Sequence, residues 1–145
     1  MTATPTQARD DLYELVTTAW GDNGPIDYED KPRSSDEDPI PPTEVTSWLR
    51  VQMRHTTGRQ ATLSNEIGSR RFRRTGVFTV QVFCPMGTSL RETEELSKLI
   101  NDALEGMATP HGVLLRNVRM NEVGSSNGHW FQTNVIADFE YDEVK

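Results

Sequence analysis

The chain has 145 residues, near the commonest size of a single domain, and its formal net charge is −7. Such an acidic chain is repelled by nucleic acid and by anionic membranes, so its composition argues against generic binding to either. The single cysteine, Cys84, excludes an intrachain disulfide, and no run approaches the ~20 apolar residues of a transmembrane helix. The opening MTATPTQARDD contains no apolar run and so predicts no signal peptide, and we expect one domain over residues 1–145.

The first predicted element is an amphipathic helix. Apolar residues recur at spacings of three and four between residues 8 and 19, and Thr4 or Thr6 can cap the helix start. Asp10 and Asp11 fall in its early turns, where the helix dipole favours acidic groups.

Residues 21–47 form a polar loop that is rich in acidic residues and proline. Proline forbids a helix here, and a segment of this length without clear structure is typical of a binding loop or a disordered one. Ile26 and Tyr28 can form a short strand at its start. We expect this acidic loop to become ordered only against a neighbouring protein. Its candidate contact residues are Asp27, Glu29, Asp30, Asp36, Glu37 and Asp38.

Two long strands follow the acidic loop. Apolar and polar residues alternate from Trp48 to His55, and again from Phe72 to Cys84. Residues 56–71, between these strands, contain two glycines and few apolar side chains, which predicts an extended hairpin arm. The second strand is long, so part of it is expected to project beyond the sheet.

A second helix and two further strands complete the chain. The run from Ser89 to Glu92 matches a capping box, and the helix that it begins is predicted to end near Leu104, with Gly106 as its C-terminal stop. Strands are predicted over residues 113–123 and 129–141, joined by a tight turn. The helix residues predicted to face inward are Leu96, Leu99, Ile100, Ala103 and Leu104.

This order of elements predicts an α+β fold. Paired hairpins with one polar face are typical of an antiparallel sheet that is covered on its other face. We therefore expect an antiparallel β-sheet covered on one face by two α-helices, with an extended hairpin arm and a long acidic loop.

No residue pattern indicates catalysis or a cofactor. The histidines, His55, His111 and His129, have neither metal-ligand spacing nor an acidic partner in a shared motif. No glycine-rich phosphate loop or nucleophile elbow is present, and the acidic run at residues 36–38 lacks the glycine spacing of a calcium loop. Cys84 has apolar neighbours, which favours a buried side chain over a reactive thiol. We predict a protein that is not an enzyme and that has no metal or cofactor.

Charge is segregated along the chain. Residues 1–47 have a net charge of −8 and residues 75–145 a net charge of −5, whereas residues 48–74 contain seven arginines and one acidic residue. This basic segment is interpreted in three ways: as a surface that solvates itself, as a contact between subunits, or as a patch for DNA or an acidic partner. The arginines that are candidates to face a neighbouring subunit are Arg50, Arg54, Arg59, Arg70, Arg71, Arg73 and Arg74.

The stretch GSRRFRRTGVFTVQVFCPMGT, followed by a helix, LLRNVRMNEVG and WFQTNVIADFEYDE, resembles the tail terminator family of long-tailed bacteriophages. The resemblance covers about residues 48–143. The first helix fits in position only, and the acidic loop has no counterpart. The residues that carry the resemblance are Arg71, Arg73, Arg74, Gly76, Val80 to Phe83, Pro85, Gly87, Gln132, Asn134 and Phe139 to Tyr141.

The resemblance implies a virion structural protein without catalytic residues. It implies a homo-oligomeric ring, typically a hexamer, that ends polymerisation of the tail tube at its head-proximal end and provides the surface for head–tail joining. In such a ring the arginines of the basic segment are expected to face the next subunit or the lumen. The implied partners are the tail tube protein, head–tail connector or neck proteins, and DNA passing through the lumen. The implied location is the neck region of the virion tail, assembled in the host cytoplasm. The alternatives are another neck or tail-tube component, a nucleic-acid-binding module that uses residues 50–74, or a small enzyme with an unrecognised site.

Overall fold

The computed structural model describes residues 2–29, 46–63, 66–86, 90–126 and 129–145. Two helices and five strands are present: α1 (Pro5–Trp20), β1 (Ile26–Tyr28), β2 (Trp48–Gln60), β3 (Arg71–Pro85), α2 (Leu90–Leu104), β4 (Leu114–Ser126) and β5 (Trp130–Val144). All five strands belong to one sheet, in the order β1-β2-β3-β5-β4. The prediction of a small α+β protein is confirmed.

The sheet is mixed, which corrects the prediction of a purely antiparallel one. β2–β3, β3–β5 and β4–β5 are antiparallel, whereas β1 pairs in parallel with β2, with Ile26 opposite Leu49. A parallel neighbour requires a connection of about a dozen residues or more. The segment between Tyr28 and Trp48 provides that length.

Helix α1 begins as predicted, at Thr4. The Thr4 hydroxyl accepts a hydrogen bond from the Gln7 amide at 3.2 Å, and the Gln7 side chain accepts one from the Thr4 amide at 3.0 Å. This reciprocal capping box satisfies two backbone donors that the helix leaves free. At the other end, the indole Nε1 of the buried Trp20 donates to the Gly24 carbonyl oxygen at 3.0 Å.

Helix α2 differs from its prediction in the face that it buries. Ile100 and Leu104 are fully buried, but Leu99, predicted to face inward, is 39% exposed. Thr93 and Ser97 are buried in its place, because the helical period rotates the contact face toward positions 93, 97, 100 and 104. The predicted cap, Ser89, lies outside the described residues. No helix among the described ranges is long and apolar enough to cross a membrane.

The core lies between the two helices and one face of the sheet. Val51, Val80 and Val135 stand opposite one another on β2, β3 and β5, and each is fully buried. Cys84 is buried as well, and burial raises the pKa of its thiol. The alternation read from the sequence therefore assigns the inward face of the central strands correctly. The core residues of the sheet face are Leu49, Val51, Met53, Phe78, Val80, Val82, Val135, Ala137 and Phe139.

The opposite face of the sheet is not uniformly polar. Trp48 and Phe83 are cross-strand partners whose rings stack with centroids 4.1 Å apart, and Trp130 meets Trp48 edge-on at 6.0 Å. The guanidinium carbon of Arg50 lies 5.2 Å from the Trp48 ring centroid, within cation–π range. An aromatic cluster thus stabilises one end of the face that alternation predicts to be polar.

Candidate functional site

The β2–β3 hairpin extends beyond the helix-covered part of the sheet. Residues 54–60 of β2 are all exposed, although they remain paired with β3 up to Gln60 opposite Phe72. An irregularity in the register between His55 and Thr57 marks the start of this extension. Residues 56–60, predicted to belong to a hairpin arm, are therefore the paired end of β2.

Three arginines of β3 bind acidic residues of β5. Arg71 Nη1 and Arg73 Nε lie 3.0 Å from the two carboxylate oxygens of Asp142, and Arg74 Nη2 lies 3.0 Å from Glu143 Oε1. The hydrogen bond from Arg73 lowers the pKa of Asp142, with a further contribution from Arg71, and outweighs the opposing effect of burial. Two carboxylates thus bind three arginines of the same chain, because β5 is the direct neighbour of β3.

Two arginines of β2 bind acidic residues at or next to β1. Arg50 Nε lies 3.1 Å from Asp27 Oδ2, and Arg54 forms an ion pair with Glu29 that lowers the pKa of the Glu29 carboxyl. Asp27 and Glu29 were predicted to contact a partner protein, and the structure places them against the chain's own arginines. The other candidates of the acidic loop, at positions 30 and 36–38, lie outside the described residues.

The last two arginines have no acidic partner among the described residues. Arg59 is exposed and stands directly opposite Arg73, while Arg70 Nε donates to the Lys145 carbonyl oxygen at 3.1 Å. The same end of the hairpin contains Leu63 and Ile67, which are 101% and 87% exposed. We call Arg59, Leu63, Ile67 and Arg70 the hairpin tip. It combines the guanidinium of Arg59, which forms no ion pair among the described residues, with exposed aliphatic surface.

The hydrogen-bonded pair His55–Tyr141 lies where the hairpin leaves the core. His55 Nε2 lies 2.6 Å from the Tyr141 hydroxyl oxygen, and its ring meets Phe139 edge-on at 5.2 Å. Partial burial, with the positive charges of Arg9 and Arg74, lowers the pKa of His55, and burial raises that of Tyr141 to about 12. Near neutral pH the histidine is uncharged and the tyrosine is protonated, so Tyr141 can donate to His55.

A second pair joins α1 to the segment before β4. The Asp11 carboxylate accepts hydrogen bonds from the backbone amide of His111 at 3.0 Å and from its Nδ1 at 2.8 Å. Burial raises the pKa of Asp11, but the bonds from Thr109 and His111 together outweigh it and lower the pKa overall. The histidines were expected to have no acidic partner in a shared motif, and the fold gives His111 an acidic partner from outside any such motif. Its partner is 100 positions away in the sequence, which no local motif reveals.

The described residues contain no cluster suited to a metal ion. No group of three or more histidine, cysteine, aspartate or glutamate side chains meets within these ranges. A surface pocket of about 510 Å³ beside the His55–Tyr141 pair is lined by Thr57, Arg74 and Glu143, among others. Its arginine and glutamate are already paired with each other. Both histidine pairs are accounted for as contacts that join elements of the fold.

Comparison with known proteins establishes the fold alone. No family model matches the chain, and no curated protein matches it. Among solved structures, 29 chains match. One of them, a protein whose name states no function, aligns with a TM-score of 0.55 and 16% identity over 89% of this chain and 94% of its own length. The α+β architecture therefore recurs, nearly in full, in a distant protein of known structure.

Proposed function

We propose that the chain is a virion structural subunit that assembles into a ring, typically a hexamer, at the head-proximal end of a phage tail tube. The ring ends polymerisation of the tube and provides the surface for head–tail joining. The observation that supports this most is the hairpin tip. Single exposed apolar side chains are ordinary, but two almost fully exposed ones at the end of one projecting hairpin favour a contact with another protein.

The outer edge of β4 also supports self-association, because beyond Leu114 and Leu115, which pair with residues 107–109, no strand borders it among the described residues. This strand lies at the end of the sheet and exposes Leu114, Met120 and Val123. Edge strands present unpaired backbone groups that readily bind another chain. Register irregularities interrupt β4 after Arg116 and after Glu122, which restricts how a second strand can pair with it. An interrupted edge favours a defined contact between subunits over unlimited aggregation.

The pairing of the arginines weakens the nucleic-acid alternative. Binding to phosphate requires cations that are free to replace counterions. Five of the seven arginines in the basic segment already form ion pairs with acidic residues of the same chain. The segment therefore presents much less free positive charge than its composition indicates. Another neck or tail-tube component remains the alternative that shares these features.

The proposal is tested by assembly measurements with and without a tail tube protein. Sedimentation velocity and electron microscopy are expected to show hexameric rings, either in the free protein or on contact with tubes, and tubes that stop growing when capped. A chain that stays monomeric and leaves tube growth unchanged would contradict the proposal. A gel-shift assay at physiological salt tests the nucleic-acid alternative. We expect no retention of duplex DNA, whereas retention would favour that alternative.

A further inference from the structure

We infer that the hairpin tip binds one flank of helix α2 in a second copy of this chain. This flank consists of Glu92, Leu96, Leu99 and Ala103, and we call it the α2 flank. The inference rests on the proposed ring and names the contact that joins its subunits. The partner is a second copy because the chain itself carries the complementary surface.

The hairpin tip is held in place by hydrogen bonds. The Ala61 amide donates to the Arg71 carbonyl oxygen at 2.7 Å, and the Arg71 amide donates to the Thr62 hydroxyl at 3.1 Å. The Lys145 amide donates to the Arg70 carbonyl oxygen at 2.9 Å, which fastens the last residue against the hairpin. The chain therefore presents Leu63 and Ile67 to solvent from a hydrogen-bonded support.

The α2 flank consists of one acidic and three apolar residues, and the core covers it only in part. Positions 92, 96, 99 and 103 are spaced by three and four residues, so their side chains share one side of the helix. Leu96 and Ala103 are only partly buried and Leu99 is 39% exposed. The apolar pattern that predicted an inward-facing Leu99 thus extends beyond the surface that the monomer buries. The exposed side of α1, by contrast, carries acidic residues without a large exposed apolar side chain.

The charges of the two surfaces are complementary. On α2, Arg91 pairs with Glu95 and Lys98 with Asp102, which leaves Glu92 and Glu94 without an ion pair in the described ranges, and of these two only Glu92 lies on the α2 flank. On the hairpin tip, Arg59 forms no ion pair in the described ranges, and its strand neighbour Arg73 is already bound to Asp142. A contact between Arg59 of one copy and Glu92 of the next would offset both isolated charges while the leucines and isoleucine lose contact with water.

The hairpin tip cannot reach the α2 flank of its own chain. β3 runs for 15 residues from Arg71 to Pro85, which is about 50 Å of strand, and α2 begins beyond its far end. Helix α2 has 15 residues and is only about 22 Å long, so it runs back along less than half of the length of β3. Two different surfaces at distant positions generate a head-to-tail contact, which closes into a ring when the rotation between subunits permits.

A charge exchange tests this contact by sedimentation velocity. Arg59→Glu places an acid opposite Arg73 and is therefore compatible with the folded monomer. Arg59→Glu alone and Glu92→Arg alone are each expected to weaken assembly about tenfold or more, and the two combined in one chain are expected to restore it. Glu14→Arg, the same charge change on α1, is the control and leaves assembly unchanged. Leu99→Ser is expected to weaken assembly, whereas Leu90→Ser, on the other side of α2, is not.

The outcomes separate this inference from the proposed function. If the unaltered chain forms rings and both charge reversals leave them intact, the contact is elsewhere and the inference fails while the ring stands. If each reversal weakens assembly but their combination does not restore it, the two residues are not partners and the inference also fails. If the unaltered chain forms no ring with or without tubes, the proposed function itself fails.

Discussion

Truncation of Phe139 to alanine tests how the core is built where the hairpin begins. Phe139 is 2% exposed and stands opposite Gly76, whose missing side chain leaves room for the ring. A Cβ atom on Gly76 would lie 2.5 Å from Phe139 Cζ, so the ring fills the space above the glycine. Phe-to-Ala changes in a core cost about 3–5 kcal/mol. We expect the upper part of that range, because Gly76 offers no side chain to occupy the cavity.

Urea unfolding followed by circular dichroism measures this loss of free energy. Phe131→Ala is the matched control, since Phe131 lies on the same strand but is only partly buried, and its truncation is expected to cost clearly less. A loss below about 1 kcal/mol for Phe139→Ala, or a loss equal to that of the control, would show that the ring does not fill the core in this way.

Three further predictions concern charge. Because the pKa of His55 is lowered from its ordinary value of 6.5, the folded state favours the uncharged ring. Stability from this residue is therefore complete above pH 6.5 and declines below it, and His55→Gln should reduce the fall in melting temperature between pH 8 and pH 5. The pKa of Asp142 is lowered from 3.8, so Asp142→Asn should lower the melting temperature by a few degrees at pH 7, a difference that disappears as the pH falls below 3.8. Reversal of both Arg71 and Arg73 to glutamate should destabilise the monomer in thermal unfolding, whereas Arg59→Glu should not; equal melting temperatures would contradict the assigned pairs.

The sequence predicts the strands and the first helix because both depend on local periodicity. The inward face of β2 follows from the alternation of Leu49, Val51 and Met53, and each of these side chains is buried. Neighbouring residues likewise narrow the cap of α1 to Thr4 or Thr6, and the structure shows that Thr4 is the cap. Such features are determined by residues close in the chain, so a single sequence contains the information needed to assign them.

Strand order and charge pairing depend on distant residues, and the sequence does not reveal them. Arg73 and Asp142 are 69 positions apart, and only the placement of β5 beside β3 brings them together. The parallel pairing of β1 with β2 and the hydrogen bonds between Asp11 and His111 also join residues that are far apart in the sequence. The net charge of each segment follows from the sequence. It does not show that the acidic end of β5 lies against the basic start of β3.

This pairing changes which arginines are informative about assembly. The sequence treats the seven arginines as one basic surface, and Arg71 and Arg73 are then natural positions for a charge reversal. In the structure both bind Asp142, so reversing them removes contacts within the monomer as well as any contact between subunits. Arg59 differs because it forms no ion pair among the described residues and stands opposite Arg73, which is already bound to Asp142. A change at Arg59 therefore breaks no ion pair within the described part of the monomer, and an effect on assembly can be assigned to the contact between subunits.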